Sequence, residues 1–160
     1  MVSMILTGLY ETLLMTAASS FFSYVIGIPL GVLLVVSDTN GIKPMPVLNG
    51  VLGSVINLIR SVPFMILLIM VIPLTRLMVG TSIGPVAVIP PLVIAAAPYI
   101  ARMVESSLKE VDAGVIEAAK SMGASNMQII FKVLLPESKP SLLVGAAISV
   151  TTILGYSAMA

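Results

Sequence analysis

Few residues in this chain could do chemistry. Eight Lys and Arg, seven Asp and Glu and four Tyr carry its ionisable side chains, and there is no His and no Cys. That removes thiol nucleophiles, disulfides, imidazole bases and the commonest zinc ligands together. An intramembrane protease would want His or paired Asp, and neither is available in the apolar stretches. No G-x-x-x-x-G-K-[ST] phosphate loop occurs either, so the chain carries no phosphate-loop nucleotide site. What remains is a pattern of placement. Ten of the fifteen charged side chains lie between Arg102 and Lys139, five of each sign, and the stretches outside that segment are nearly free of charge. Arg60 is the exception, a guanidinium inside an apolar run.

The elements that position these residues are set by a membrane. Of the 160 residues 58% are hydrophobic and 9% are charged, against about 25% charged in a soluble domain, which excludes the soluble reading. A net charge of +1 offers no basic surface for nucleic acid. The first ten residues hold no Lys or Arg and so lack the positive start of a secretory signal, which predicts that the first apolar run is retained.

A crossing helix needs about 20 mainly apolar residues. The charge pattern predicts an all-α membrane protein, one transmembrane domain over 1–160, with spans near 12–37, 47–74, 88–108 and 140–160. The apolar run is still in progress at Ala160, which predicts that the full protein continues into at least a fifth span. In the first span Gly27 and Gly31 flank Pro29. They read either as a small-xxx-small contact that lets a neighbouring helix approach closely or as the Gly and Pro ordinary in membrane helices. Asp38, Asn40, Gly41, Pro44 and Pro46 mark a short loop. Gly80, Gly84, Pro85, Pro90 and Pro91 predict a longer loop before the third span. Lys109, Lys120, Lys132 and Lys139 place 109–139 in the cytoplasm by the excess of basic residues there. Counting outward puts the Lys43 loop inside, and the amino terminus and the loop at Arg76 outside.

Within 109–139, Asp112 caps a helix running to Met122, and Gly123 is placed to end it in the left-handed conformation. Val115, Ile116, Ala119 and Met122 recur at helical spacing, an amphipathic face outside the bilayer. Ser125 and Gln128 form a capping-box pair that opens a second helix carrying Ile129, Ile130, Val133 and Leu134, with Pro136 expected to end it. Such a pair of helices could lie on lipid headgroups or project a small apolar knob into a groove on a soluble partner. Physics alone leaves both open.

The residues from Glu117 to Pro136 read EAAKSMGASNMQIIFKVLLP. This resembles the EAA loop of ABC importer permeases of type I: Glu117, Ala118 and Ala119, then Gly123, then Val133, Leu135 and Pro136 at the family's spacing. Val133 stands where the family usually has Ile, and Asp112 where it often has Pro. The resemblance implies that the first helix is a coupling helix seated on a cytoplasmic ATPase, with docking residues Val115, Ile116, Glu117, Ala118, Ala119, Lys120, Ser121, Met122, Gly123 and Ala124. It also implies a second permease copy, two ATPase copies that bind the ATP and Mg, an external substrate-binding protein, and no catalytic residue, cofactor or metal in this chain. Further stretches, ETLLMT from Glu11, NLIRSVPFMILLIMVIPLTRLMVGTSIG from Asn57 and AAAPYIARMVESSL from Ala95, look like the methionine-type group within the family. The eleven Met residues carry no part of that inference, because Met is an ordinary flexible packing residue. A permease for a polar amino acid is the alternative within the class. Outside it stands an ATP-independent carrier, against which the lack of intramembrane carboxylates speaks.

Arg60 is either an intramembrane cation at a gate or pathway or a residue snorkelling to the inner headgroups. Ser61 and Pro63 beside it read as a broken helix that lines a path or as a plain kink. Glu105, Lys109, Glu110 and Asp112 read as a solvated charged face with i,i+4 support from Glu105 to Lys109.

Overall fold

The computed structural model describes residues 2–160. The described chain is a series of helices joined by short loops. Helix α1 spans Val2–Ser37, α2 Pro46–Ser61, α3 Phe64–Val79, α4 Pro85–Lys109 and α5 Ala113–Ser121. Then come α6 (Asn126–Ile129), a π-helical turn (Ile130–Leu134), α7 (Leu135–Glu137) and α8 (Lys139–Ser157). Three of these, α1, α4 and α8, are long and apolar enough to cross a membrane by themselves.

At 36 residues α1 is about 54 Å long, well beyond a hydrocarbon core of about 30 Å. Its residues through Tyr10 are exposed and its first buried residue is Thr16, so the amino-terminal third stands clear of the bundle. From there Gly27 and Gly31 face α4 closely. A Cβ on Gly27 would lie 2.6 Å from Cγ2 of Ile100, and one on Gly31 would lie 2.6 Å from Cβ of Val104 and 2.7 Å from the carbonyl oxygen of Ala101. The two glycines are therefore a true close-approach pair. Since Gly27 meets Ile100 and Gly31 meets Val104, α1 and α4 run parallel.

Helix α8 runs antiparallel to both. Ser141 Oγ donates to Ser107 Oγ at 3.0 Å near one end, Gly145 lies against Met103, and Tyr24 hydrogen-bonds Ser149 further along. Helix α2 returns antiparallel to α1, tied at its start by Asn49 Nδ2, which donates to the Leu34 carbonyl at 2.7 Å and to Ser37 Oγ at 3.1 Å. Because α1 and α4 point the same way, the chain between them must traverse the bundle once, and α2 with α3 makes that crossing. It does so broken: the two helices are bent by 107°. The stretch 47–74 is thus two helices and not one straight span. Pro63 cannot donate, and α2 closes with a tightened bond from Val62 N to the Ile59 carbonyl before Pro63 turns extended. Its carbonyl then accepts from Ile66 and Leu67 to start α3.

The loop ahead of α4 is shorter than its glycines and prolines suggest. Gly80 and Gly84 both have positive φ and flank it, but Pro85 occupies the first turn of α4, while Pro90, Pro91 and Pro98 lie inside the helix. Proline in a helix costs a hydrogen bond. Here all three of the inner prolines are buried, and neighbouring helices cover the freed backbone, which is the condition under which membrane helices tolerate them. The main core gathers Ile100, Val104 and Leu108 of α4, Ile153 of α8, and Ala119, Ile129, Ile130 and Leu134 of the charged segment.

Candidate functional site

Helix α5 forms where the sequence places it because Asp112 Oδ1 accepts from Gly114 N at 2.6 Å, satisfying one of the orphan donors of its first turn. It ends at Gly123, whose φ of +81° suits the residue without a Cβ. The capping box follows: Ser125 N donates to Gln128 Oε1 at 2.8 Å and Gln128 N to Ser125 Oγ at 3.3 Å. The result is a rigid elbow between α5 and α6.

The side chains of α5 divide into two faces. Ala119 is buried in the chain's own core beside Ile129 and Ile130, with Ile116 and Ala124 packed half-buried against the same cluster. Val115, Glu117, Ala118, Lys120, Ser121, Met122 and Gly123 are exposed, Met122 at 82%. One side thus seats the helix on the bundle, and the other presents a small, mostly uncrowded surface with a bare methionine at its tip. Ala119 allows the helix to approach its own base, not a partner.

Pro136 does not end the second helix, contrary to expectation. The backbone shifts to π bonding over Ile130–Leu134, with Leu135 N donating to the Ile130 carbonyl, and then continues through Pro136 into α7. A π turn widens the helix and so relieves the clash between a proline ring and the carbonyl four residues before it. Ile130 and Leu134 remain buried through this turn, which explains why the segment stays anchored while its winding changes.

Beneath the elbow lies a charge network. Glu105 is 8% exposed; its Oε2 accepts from Arg102 Nη1 at 2.6 Å and its Oε1 from Lys109 Nζ at 2.8 Å. Lys109 reaches on to Asp38 Oδ2 at 2.7 Å, and Arg102 Nη2 donates to the Gly53 carbonyl at 3.1 Å. Three elements are joined: the end of α4, the loop after α1, and α2. The reading of Glu105 as part of a solvated face is therefore corrected, whereas Lys109, at 46% exposed, stays on that face and makes the expected i,i+4 pair with Glu105. Helix α4 is still packed against α1 and α8 at this level, so the Glu105 carboxylate is shielded from water and faces two cationic partners. Asp38, Lys109, Ile116 and Lys120 also line a cleft of about 380 Å³ between the network and α5.

The Lys109 ammonium, hydrogen-bonded to Asp38, holds the Asp38 carboxyl below its usual range. A depressed carboxyl stabilises the fold above the unfolded value of about 3.9 and loses that contribution as pH falls through the folded one. Asp38→Asn is accordingly expected to lower the thermal unfolding midpoint at about pH 6, with the gap to the unsubstituted chain closing as pH falls below about 4. Unfolding of the detergent-solubilised protein followed by circular dichroism reads this directly, and a gap constant with pH would contradict the pairing.

Arg60, Ser61 and Pro63 cluster at the break between α2 and α3, far from the elbow, and all three are exposed. Ser61 Oγ donates back to the Asn57 carbonyl at 2.8 Å. Arg60 shares a small recess of about 130 Å³ with Phe64, Tyr99 and Tyr156. The structure thus separates two sites: an elbow at the charged end and a broken helix inside the apolar layer. What the sequence reading missed is the network joining Gly53, Asp38 and Arg102. Its local signal was the i,i+3 pair Arg102 and Glu105 still within an apolar helix.

A helical bundle with parallel α1 and α4, a broken crossing between them and an elbow at its charged end is the architecture of a transporter's membrane subunit. Residues 23–160 match the family described as binding-protein-dependent transport system inner membrane component, and the chain belongs to it. It is a multi-pass inner-membrane protein. It is 53% identical over 152 residues to the D-methionine transport system permease protein MetI of Yersinia pestis, covering 95% of this chain and 70% of that one. Against the methionine import system permease protein MetP of Bacillus subtilis it is 48% identical over 151 residues, covering 94% and 68%. It superposes on an inward-facing structure of the MetNI methionine ABC transporter with a TM-score of 0.95 at 51% identity, covering 97% of this chain and 72% of that one.

Proposed function

We propose that this chain is the permease subunit of an ATP-driven importer that carries methionine into the cell, and that α5 is its coupling helix. Two copies pair across the membrane, two cytoplasmic ATPases bind ATP and Mg, and an external binding protein delivers the substrate. The carrying observation is the two-faced α5. Ile116, Ala119 and Ala124 lock it to the bundle, while Val115, Glu117, Ala118, Lys120, Ser121, Met122 and Gly123 are free to enter a partner's groove. A helix that merely rested on lipid would need no such base.

The amino terminus lies outside and residues 109–139 inside, as the Lys placement supports. When nucleotide draws the ATPases together, the elbow moves with them, and the network at Glu105 passes that displacement to α4 and α2. The spans then rock between inward-open and outward-open arrangements. Arg60, Ser61 and Pro63 lie on the path that this rocking opens. The substrate assignment is supported by the relatives from Yersinia pestis and Bacillus subtilis both being named for methionine.

The test is co-purification and uptake with the full transporter. Ala118→Arg and Gly123→Leu are expected to abolish co-purification of the ATPase and uptake of labelled methionine. Neither position has packing to lose: Ala118 is exposed, and a Cβ on Gly123 meets nothing within 4 Å. The positive φ of Gly123 makes its substitution cost about 1 kcal/mol of backbone strain, so Ala118→Arg is the cleaner of the two. Retained ATPase and retained uptake would refute the docking role, and uptake of a polar amino acid in place of methionine would reassign the substrate.

A further inference from the structure

Arg60 lies in the last turn of α2 at the break, is exposed, and makes neither an ion pair nor a side-chain hydrogen bond among the described residues. Its depth follows from its neighbour. Arg60 and Tyr99 line the same two clefts, and Tyr99 lies ten residues before Lys109 on α4, about 15 Å along the helix. That is half of a hydrocarbon core of about 30 Å, so with Lys109 taken at the inner headgroups the Cα of Arg60 lies near the middle of the apolar layer.

The larger of the two clefts, about 350 Å³, runs along α4 between α2 and α8. Its floor is Tyr99, Arg102, Ser106 and Glu110, spaced three and four apart and hence on one face. A polar face that runs from the charged end inward to this depth is costly against lipid and belongs against water. Arg102 is committed to Glu105 and to the Gly53 carbonyl, and Glu110 lies at the opposite end of the cleft. Arg60 is the uncommitted charge at the deep end.

We propose that this groove is a stretch of the transport path and that Arg60 binds the α-carboxylate of the amino acid substrate within it. The proposal rests on the permease reading above and adds a ligand site to it. A guanidinium takes a carboxylate through paired, charge-assisted hydrogen bonds, and the apolar walls of the groove strengthen the attraction over that in bulk water. The Tyr99 and Tyr156 rings flank the recess beside Arg60 and give the substrate's apolar side chain something to lie against. The cleft volume is within the range of about 300–1,000 Å³ typical for small-molecule sites.

The 160 residues contain no Cys, so Ser106→Cys supplies a single label within them, on an exposed position of the groove floor. In the full transporter reconstituted into vesicles, two thiol reagents of equal size would be compared, a sulfonate and a trimethylammonium. The expected result is modification by both water-borne reagents, with the sulfonate-to-trimethylammonium rate ratio falling about fivefold or more in Arg60→Ala. Arg60→Lys in the same background should hold the ratio, which separates loss of charge from loss of fold. Uptake of labelled methionine should fall about tenfold in Arg60→Gln and be largely restored in Arg60→Lys. A ratio that ignores Arg60, or a Ser106→Cys thiol that neither reagent reaches, overturns the groove whatever the substrate. Failure of the unsubstituted transporter to import methionine overturns the substrate reading instead, and the labelling ratio still judges the groove.

Discussion

Glu105→Ala is expected to cost about 2–3 kcal/mol of stability and to uncouple ATP hydrolysis from transport in the molecules that still assemble. Removing one member of a buried pair usually costs about 3–5 kcal/mol, because the partner is left charged and unpaired. The figure is reduced here because Lys109 is 46% exposed and water screens it. Arg102 is the side chain that suffers: it loses its carboxylate at 2.6 Å and keeps only the Gly53 carbonyl at 3.1 Å. Glu105→Gln can still accept from one partner and is expected to fall between the two. Denaturant unfolding of the purified permease measures the first effect, and the ratio of substrate moved to ATP hydrolysed measures the second. Full stability in Glu105→Ala would mean that the network is not a joint.

The second large effect is expected at Gly31. Even Gly31→Ala places a Cβ 2.7 Å from the backbone oxygen of Ala101 and 2.6 Å from Cβ of Val104, and neither atom belongs to the flexible end of a side chain. Helices α1 and α4 must part, along the largest helix contact in the bundle. Overpacking of this kind costs about 1–3 kcal/mol, and Gly31→Val should exceed it. Gly155→Ala on α8 is the control, since nothing lies within 4 Å of its Cβ and helix propensity favours Ala by about 1 kcal/mol. Thermal unfolding and membrane yield of the three variants check the order. A Gly31→Ala protein as stable as Gly155→Ala would contradict the close approach.

Where sequence and structure diverge, the reason is long-range packing. Pro63 and Pro136 look alike in sequence, each a proline expected to interrupt a helix. At Pro63 the chain breaks by 107°, and at Pro136 it winds on through a π turn. What differs is the support: Ile130 and Leu134 are anchored in the core across the turn, whereas none of Arg60, Ser61 and Pro63 is buried, and nothing there holds a straight helix. In the same way Ala118 and Ala119 are identical residues next to each other in the EAA motif, and only the fold sends one outward and the other into the core.

By itself the sequence determined the features that depend on neighbours in the chain or on transfer from water to hydrocarbon. The membrane class follows from apolar runs too long and too free of charge for a soluble domain. Asp112, Gly123 and the Ser125 to Gln128 box define the elbow because caps and turns act over three or four residues. The tertiary structure alone decided how α2 and α3 share one crossing, that Gly27 and Gly31 are contact points, and that Asp38, Gly53, Arg102, Glu105 and Lys109 form one joint. Gly53 and Arg102 lie 49 residues apart. No local periodicity encodes such a pairing, because its energy exists only once α1, α2 and α4 have packed and water has been excluded from between them.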